Sequence, residues 1–279
     1  MVYRIIEKYY KIFMLFPIIA LIISIGIIMN NIITKGSFMQ RDIELSGGKL
    51  ITIETNNVDP QKIRSLFPYA NVHLTSGITK NLLIEIPFEK NESEIINELK
   101  NDIDIKGEPT VKIVGPAIGQ MFFQQAQLAL IIAFIFMAIV VFIVFRSLVP
   151  SSIVLLAAAT DIIVTIAIAS LLGVNLSLPV LAALLTIIGY SVDTDILLTS
   201  ELLKSGTKNI SVDIKRAAKT GLTMSATTLV ALFAIYFVSG AFVLEQISFI
   251  LIIGILVDIP ATWLTNAGIL RFWLEKKWK

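Results

Sequence analysis

The chain has 279 residues, of which 56% are hydrophobic and 16% charged, and its mean hydropathy of +0.82 is too high for a soluble domain of this length. The net charge of +2 gives no indication of nucleic-acid binding, and the absence of cysteine excludes thiol catalysis and cysteine-ligated metal. No residues are spaced around the single histidine, His73, to complete a metal site. We therefore predict an integral membrane protein that is not an enzyme and has no cofactor or metal.

The first apolar segment covers residues 12–34 and carries no charge. It is long enough to cross the hydrocarbon core of a bilayer, which takes about 20 helical residues. The basic residues Arg4, Lys8 and Lys11 precede it, and Lys and Arg concentrate on the cytoplasmic side of a membrane. We predict transmembrane helix 1 here, with a cytoplasmic N terminus.

Polar residues return between residues 35 and 114 and indicate one domain outside the membrane. Alternating apolar residues predict strands at 49–55, 71–75, 82–86 and 108–114. Two helices are predicted between them, one opening at Asp59-Pro60 and one over residues 91–99. The order βαββαβ is that of a ferredoxin-like α+β domain.

Five further apolar segments lie within residues 115–272, at about 120–145, 150–172, 176–203, 218–239 and 246–271. Together with helix 1 they give six predicted transmembrane helices. The last carries Pro260, where a kink is expected. Lys and Arg occur in alternate connections, whereas the opposite loops, 173–177 and 239–245, contain none. The pattern predicts a multi-pass protein of the plasma membrane, with both termini cytoplasmic and the ferredoxin-like domain external.

Four aspartates interrupt the apolar spans: Asp161, Asp193, Asp195 and Asp258. An ionised side chain near the bilayer centre costs at least about 2.5 kcal/mol, so such a residue is by default a functional candidate. No Lys, Arg or His lies between residues 147 and 203 or between 246 and 270 to balance them. Carboxyl groups that take up and release protons in these surroundings would suit a proton carrier.

Asp193 and Asp195 are about 200° apart on a helix, so they cannot both face the same partner. We predict that Asp193 points inward, because Gly189 lies one turn away and allows a neighbouring helix to approach closely. Asp195 is then expected to hydrogen-bond with Ser191 or Thr199. An alternative is that the aspartates only bond with Ser, Thr or backbone groups and fix the packing of the helices.

Several short motifs along the chain are shared with one known family. They are ELSGGKL (44–50), GPAIG (115–119), LP through GYS (178–191, including Gly189 and Tyr190), ATTL (226–229) and GIL (254–256). These correspond to the family's external domain and to its second, fourth, fifth and sixth helices. The chain therefore resembles the SecD/SecF family of protein-export membrane proteins over nearly its whole length.

The resemblance implies the resistance-nodulation-division architecture, in which this chain pairs with a homologous SecD-like subunit to form twelve helices. It also implies that proton flux through fourth-helix aspartates moves the external domains, which pull the translocating preprotein at the Sec channel. Asp161 matches the aspartate of a His-Asp pair, with Thr160 in place of the histidine. In bacterial members the fourth-helix acid aligns with Thr194 and an asparagine with Asp193, and this departure suits an archaeal type of member.

The leading hypothesis is a membrane subunit of protein export that works with a SecD-like subunit, the Sec channel, the preprotein and membrane lipid. In this hypothesis Asp193, assisted by Asp161 and Asp258, takes part in proton-coupled motion of the external domain, and Asp195 is a second polar site. Two alternatives are a half-size exporter of small molecules or lipids from the same superfamily, and a non-conducting structural scaffold of the translocon.

Overall fold

The computed structural model of this protein describes residues 10–55, 59–75, 81–102, 106–204 and 209–277. Arg4 and Lys8, used above to predict the orientation, lie outside these residues. The first membrane-spanning helix, α1 (Leu15–Lys35), follows a single helical turn, Tyr10–Phe13. It ends at Gly36, whose φ of 70° is the left-handed conformation that glycine adopts without strain.

The segment after α1 folds as the predicted βαββαβ unit. A one-turn helix, α2 (Ile43–Ser46), precedes it and is capped by Asp42. The unit consists of β1 (Gly48–Glu54), α3 (Pro60–Leu66), β2 (Asn71–Leu74), β3 (Asn81–Ile86), α4 (Glu92–Asp102) and β4 (Lys106–Val114). Its antiparallel sheet has the order β2-β3-β1-β4, which is ferredoxin-like, so the predicted fold class is confirmed for this domain.

The alternation of side chains along the strands gives the sheet two different faces. Ile51 and Ile84 belong to the face covered by α3 and α4, and both are fully buried in the core of the domain. The other face carries His73 and Glu85 on neighbouring strands. We call it the open face of the sheet. Because the open face lies against one end of the helix bundle, the polar side chain of Glu85 is only 4% exposed.

The chain continues into α5 (Pro116–Phe145), α6 (Leu148–Leu171), α7 (Leu178–Lys204), α8 (Ile210–Val238) and α9 (Phe242–Pro260). A π-helical segment, Ala261–Asn266, joins α9 to α10 (Ala267–Lys277). Together with α1, they provide six spans long and apolar enough to cross a membrane within the described residues. The six-helix fold class is thus confirmed. Helices α6 and α7 are the most buried, and α9 packs on both.

The last span changes its winding at Pro260. Proline has no backbone N–H to donate to the preceding turn, and the helix widens to the π form directly after it. The sequence predicts a kink here, whereas the structure has a change of winding. The π-helix brings Thr262 and Asn266 into hydrogen bonds with α7, and such segments are frequent at functional sites.

The two glycine motifs meet where the ferredoxin-like domain joins the bundle. A Cβ atom on Gly47 would lie 2.5 Å from the Cα atom of Pro116, and one on Gly119 would lie 2.6 Å from the backbone nitrogen of Gly47. The backbone at the end of α2 therefore touches the first turn of α5 directly. This contact explains why glycine stands at both positions, since neither backbone has room for a side chain.

Replacing Gly119 with alanine is expected to lower the stability of the protein by about 1–3 kcal/mol, the usual cost of an added methyl group in a packed site. Alanine is the better helix former by about 1 kcal/mol, so the sign of the effect separates crowding from helix propensity. Thermal unfolding of the purified protein in detergent measures it. The control is Gly26→Ala in α1, where no atom lies within 4 Å of the added Cβ. Equal melting temperatures for the two variants would contradict the close contact.

Candidate functional site

Three central helices each place one aspartate at the middle of the bundle. Asp161 on α6, Asp195 on α7 and Asp258 on α9 are all 0% exposed. The carboxyl groups of Asp161 and Asp258 lie within hydrogen-bonding reach of each other. Asp195 is linked to Asp258 through Thr262, whose hydroxyl oxygen lies 2.9 Å from one carboxyl and 3.0 Å from the other. We call these three residues the aspartate cluster.

Hydroxyl and amide groups surround the aspartate cluster. The Ser191 hydroxyl donates to Asp161, and the Thr194 hydroxyl lies 3.2 Å from both carboxylate oxygens of Asp258. The Asn266 amide nitrogen lies 2.5 Å from Oδ1 of Asp195. The nearby Thr160 does not join this network, since its hydroxyl donates to the carbonyl of Leu156 on its own helix.

The number of protons on the carboxyl groups decides which hydrogen bonds this network can form. The hydroxyl of Thr262 has one proton but contacts two carboxyl groups, so it donates to only one of them. A hydrogen bond between Asp161 and Asp258 likewise needs a proton on one carboxyl. Oxygen Oδ1 of Asp161 and oxygen Oδ2 of Asp195 are buried and bond with no other group in the described part of the chain. The aspartate cluster thus has positions at which exchangeable protons can be held.

No cationic side chain in the described ranges pairs with the aspartate cluster. None of the ion pairs among the described residues includes Asp161, Asp195 or Asp258. If all three carboxyls were ionised, like charges would lie within hydrogen-bonding reach in a medium of low dielectric constant. A proton gained or lost therefore changes the contacts between α6, α7 and α9.

The prediction that Asp193 points inward is wrong. Asp195 is buried, and Asp193 is exposed on the opposite side of α7. The predicted angle between them is correct, but Gly189 does not mark the buried side, because no atom of the described chain lies within 4 Å of a Cβ built there. The close approach is made by Gly254 of α9, where an added Cβ would overlap Ile187.

The predicted hydrogen bonds of Asp195 are also wrong. Ser191 faces α6 and bonds with Asp161, while the buried hydroxyl of Thr199 bonds with no group among the described residues. Asp195 bonds instead with Thr262 and Asn266 of the π-helix. The reason is that α9 and the π-helix lie against this side of α7 and supply donors from outside the helix.

Sequence reasoning missed the roles of Thr262 and Asn266. Together with Asp258 they are spaced at i, i+4 and i+8, which places polar groups along one side of an otherwise apolar helix. That spacing is the signal that could have found them. Tyr190 was expected near the site, and its hydroxyl donates to Ser225 of α8 at 3.1 Å.

Comparison with known proteins identifies the family. Residues 94–276 match the family profile described as "Protein export membrane protein SecD/SecF, C-terminal". The chain belongs to the SecD/SecF protein-export family. It is 37% identical over 268 residues to the protein-export membrane protein SecF of Pyrococcus furiosus, covering 94% of this chain and 90% of that protein. It is 38% identical over 281 residues to SecF of Methanocaldococcus jannaschii, covering 96% and 97%.

Solved structures share the fold. The crystal structure of SecDF, a translocon-associated membrane protein from Thermus thermophilus, matches with a TM-score of 0.76 at 21% identity. The match covers 95% of this chain but only 38% of the SecDF chain. A heavy metal efflux pump matches more distantly, with a TM-score of 0.50 at 17% identity over 71% of this chain and 21% of the pump. The SecF relatives and the family profile support the role: the chain is a multi-pass membrane protein of protein export, and the predicted family is confirmed.

Replacing Ser191 with alanine is expected to lower stability by about 1–3 kcal/mol, because the buried carboxyl of Asp161 loses its hydroxyl donor. The matched control is Ser200→Ala on the same helix, since the Ser200 hydroxyl bonds with the carbonyl of Leu197 one turn away. Its expected effect is within about 0.5 kcal/mol. Denaturant unfolding in detergent compares the two variants. Equal losses would show that the Ser191 hydroxyl does not stabilise Asp161.

Proposed function

We propose that this protein acts with a SecD-like subunit to promote protein translocation, and that its aspartate cluster couples proton movement to this work. The observation that carries the proposal is the burial of three carboxyl groups, without a cation, on three different helices at the centre of the bundle. Asparagine or serine could provide a purely structural contact without the cost of burying a charge in the membrane. The aspartates are therefore better explained by proton exchange than by packing alone.

The contacts of α9 provide a route from the aspartate cluster to the ferredoxin-like domain. When protons are present, the carboxyls bond with one another and with the hydroxyls on the facing helices. Loss of a proton replaces attraction between α6 and α9 with repulsion. Helix α9 begins at Phe242, whose ring lies 6.0 Å from the ring of His73 on the open face. Asn81 of the domain also bonds with the carbonyl of Gly240, just before α9. A shift of α9 would thus reach the domain.

The exposed side of α7 supports pairing with a SecD-like subunit. Ala182, Thr186, Gly189 and Asp193 form a stripe of small and polar residues along it. Small residues at this spacing allow two membrane helices to pack closely. Asp193 has no hydrogen-bond or ion-pair partner in the described part of the chain, and facing lipid it would cost at least about 2.5 kcal/mol. The similar SecDF chain is much longer than this one, which leaves room in it for a second unit.

The proposed orientation has both termini in the cytoplasm and the domain on the outer side of the plasma membrane. Among the described residues, Arg146 follows α5 and Lys204 ends α7. The domain contacts the opposite end of the bundle, at Gly240 and Phe242. Lys and Arg concentrate on the cytoplasmic side of short loops, so the end with the domain is the external one. There it would meet the preprotein as it leaves the Sec channel.

Asp195→Asn is expected to reduce export driven by a proton gradient to the level seen without a gradient, because an amide cannot exchange the proton. Asp193→Asn is the matched comparison, two positions away on the same helix but outside the aspartate cluster, and its amide keeps a polar side chain of the same size on the partner-facing stripe. Preprotein uptake into inverted membrane vesicles containing the SecD-like subunit measures both, with equal protein amounts verified. Loss of export in Asp193→Asn alone would assign the coupling to the partner-facing carboxyl. Normal export in Asp161, Asp195 and Asp258 variants would favour the scaffold.

Gly189→Leu is expected to abolish co-purification with the SecD-like subunit, because the larger side chain blocks the approach of a partner helix. The variant chain itself should stay folded, since no atom of the described chain lies within 4 Å of the added Cβ. Gly26→Leu in α1, which is equally open, is the control and should keep the partner. Unchanged co-purification of both variants would show that the partner binds another surface. Export activity without any partner would favour the half-size exporter.

A further inference from the structure

A second pair of buried carboxyls lies outside the membrane-spanning segments, where the ferredoxin-like domain meets the bundle. Glu85 of β3 is 4% exposed on the open face, and Asp42 at the start of α2 is 5% exposed. The two carboxyl groups lie within hydrogen-bonding reach of each other. No ion pair among the described residues includes either of them. The mechanism proposed above does not use this pair.

The hydrogen bonds of the pair indicate which carboxyl holds the proton. Oδ1 of Asp42 accepts the backbone N–H of Ile43 at 2.5 Å and so caps α2, a role that favours the ionised form. Glu85 therefore carries the proton, and its protonated carboxyl donates a hydrogen bond to Asp42. Burial raises the pKa of Glu85 to about 9, and the hydrogen bond and negative charge of Asp42 act in the same direction.

Other titratable and charged groups face the pair from each neighbouring element, and none of them neutralises it. Burial lowers the pKa of His73 on β2 and outweighs the opposing negative charge of Asp42, while the positive charge of Arg64 on α3 acts in the same direction as burial, so the imidazole is neutral near pH 7. Glu44 of α2 and Glu245 of α9 add negative charge nearby, and Glu44 is already paired with Lys112 at 2.6 Å. The surroundings thus favour a shared proton over two ionised carboxyls.

The two members of the pair belong to different bodies. Asp42 is fixed to the bundle, because its backbone N–H bonds with the carbonyl of Leu176 at 2.9 Å and the N–H of Leu176 bonds with Gln40 at 2.6 Å. Glu85 belongs to the sheet of the domain. The sheet begins at Gly48 and ends at Val114, which pair with each other. Both chain connections therefore leave the domain at the same end of the sheet, next to glycines. Rotation about these two connections would separate Glu85 from Asp42.

Water has access to the junction. A cavity of about 200 Å³ opens beside the pair and is lined by Glu85 and His73 of the domain and by Asn175 and Glu245 of the bundle. The other described links on this side include the hydrogen bond of Asn175 with Glu85, the Asn81 bond with Gly240 and the ring contact between His73 and Phe242. A small separation would therefore hydrate Glu85.

We propose that docking of the ferredoxin-like domain onto the bundle takes up one proton at the Asp42–Glu85 pair and that undocking releases it. This inference does not depend on the aspartate cluster.

The pH dependence of docking follows from proton linkage. In the docked state the Glu85 carboxyl keeps its proton up to about pH 9. Once hydrated and separated from Asp42, it returns to an ordinary glutamate pKa of about 4.3. Between these values the docked state binds one proton more than the undocked state. The docking constant is therefore constant below the lower value, falls about tenfold for each pH unit above it, and levels off above the higher value. An acidic exterior favours docking.

Distances between two spin labels test this proposal. The chain has no cysteine, so labels can be placed at Ser65→Cys on α3 and Val238→Cys at the end of α8, both exposed positions. In the full chain in lipid nanodiscs, a longer distance should gain population as the pH rises from about 5 to about 10. Glu85→Gln should remove this response and stay docked, because the amide donates to Asp42 without titrating. An unresponsive parent chain, or a Glu85→Gln variant that responds like it, would overturn the proposal.

Two controls keep the test specific. Glu92→Gln changes a partly exposed carboxyl of the same domain, paired with Lys49 at 2.5 Å, and should respond to pH as the parent does. Asp195→Asn should also keep the response, so failure of the proposed export mechanism and failure of the docking proposal can be distinguished. Infrared spectra at pH 7 give a second measurement. Glu85→Gln should remove one protonated-carboxyl band, and persistence of all bands would place the proton elsewhere.

Discussion

The cost of burying carboxyl groups without a cation is the constraint on which this structure depends. Asp161, Asp195 and Asp258 lie together at the centre of the bundle, and the neighbours that donate hydrogen bonds to them in the described part of the chain are hydroxyl and amide groups. Such a site is stable only while one carboxyl of each bonded pair holds the proton that their hydrogen bond needs. The packing of α6, α7 and α9 therefore depends on protonation, and the proposed coupling to a proton gradient rests on this dependence.

The same constraint recurs at the junction between the bundle and the ferredoxin-like domain. None of the ion pairs among the described residues includes Asp42 or Glu85, and these two residues belong to parts of the chain that are joined at a pair of glycine motifs. Helix α9 lies between the two sites, because it carries Asp258 at one end and contacts the open face of the sheet at the other. Proton exchange in the membrane and docking of the domain are thus placed on one continuous element.

The geometry of a single helix predicts the angle between Asp193 and Asp195 but not which of the two is buried. Helical geometry correctly places the two carboxyls on opposite sides of α7, since 3.6 residues per turn fixes the angle. It does not say which side is buried. Gly189 suggested the wrong side because small residues suit contacts within the chain and contacts with a partner equally well. The position of Thr194, where bacterial members of the family keep their acid, faces Asp258 and is part of the buried side.

The sequence by itself determined the six apolar spans, the βαββαβ order of the domain and the family, because apolar length, strand alternation and motif identity are local properties. It also determined that carboxyls without cations lie in the membrane. Only the tertiary structure decided which of them meet, because Asp195 is brought to Asp258 through Thr262 by a π-helix after Pro260, and no local pattern encodes that register. The burial of Glu85 was decided in the same way, by the docking of two separately folded parts of the chain.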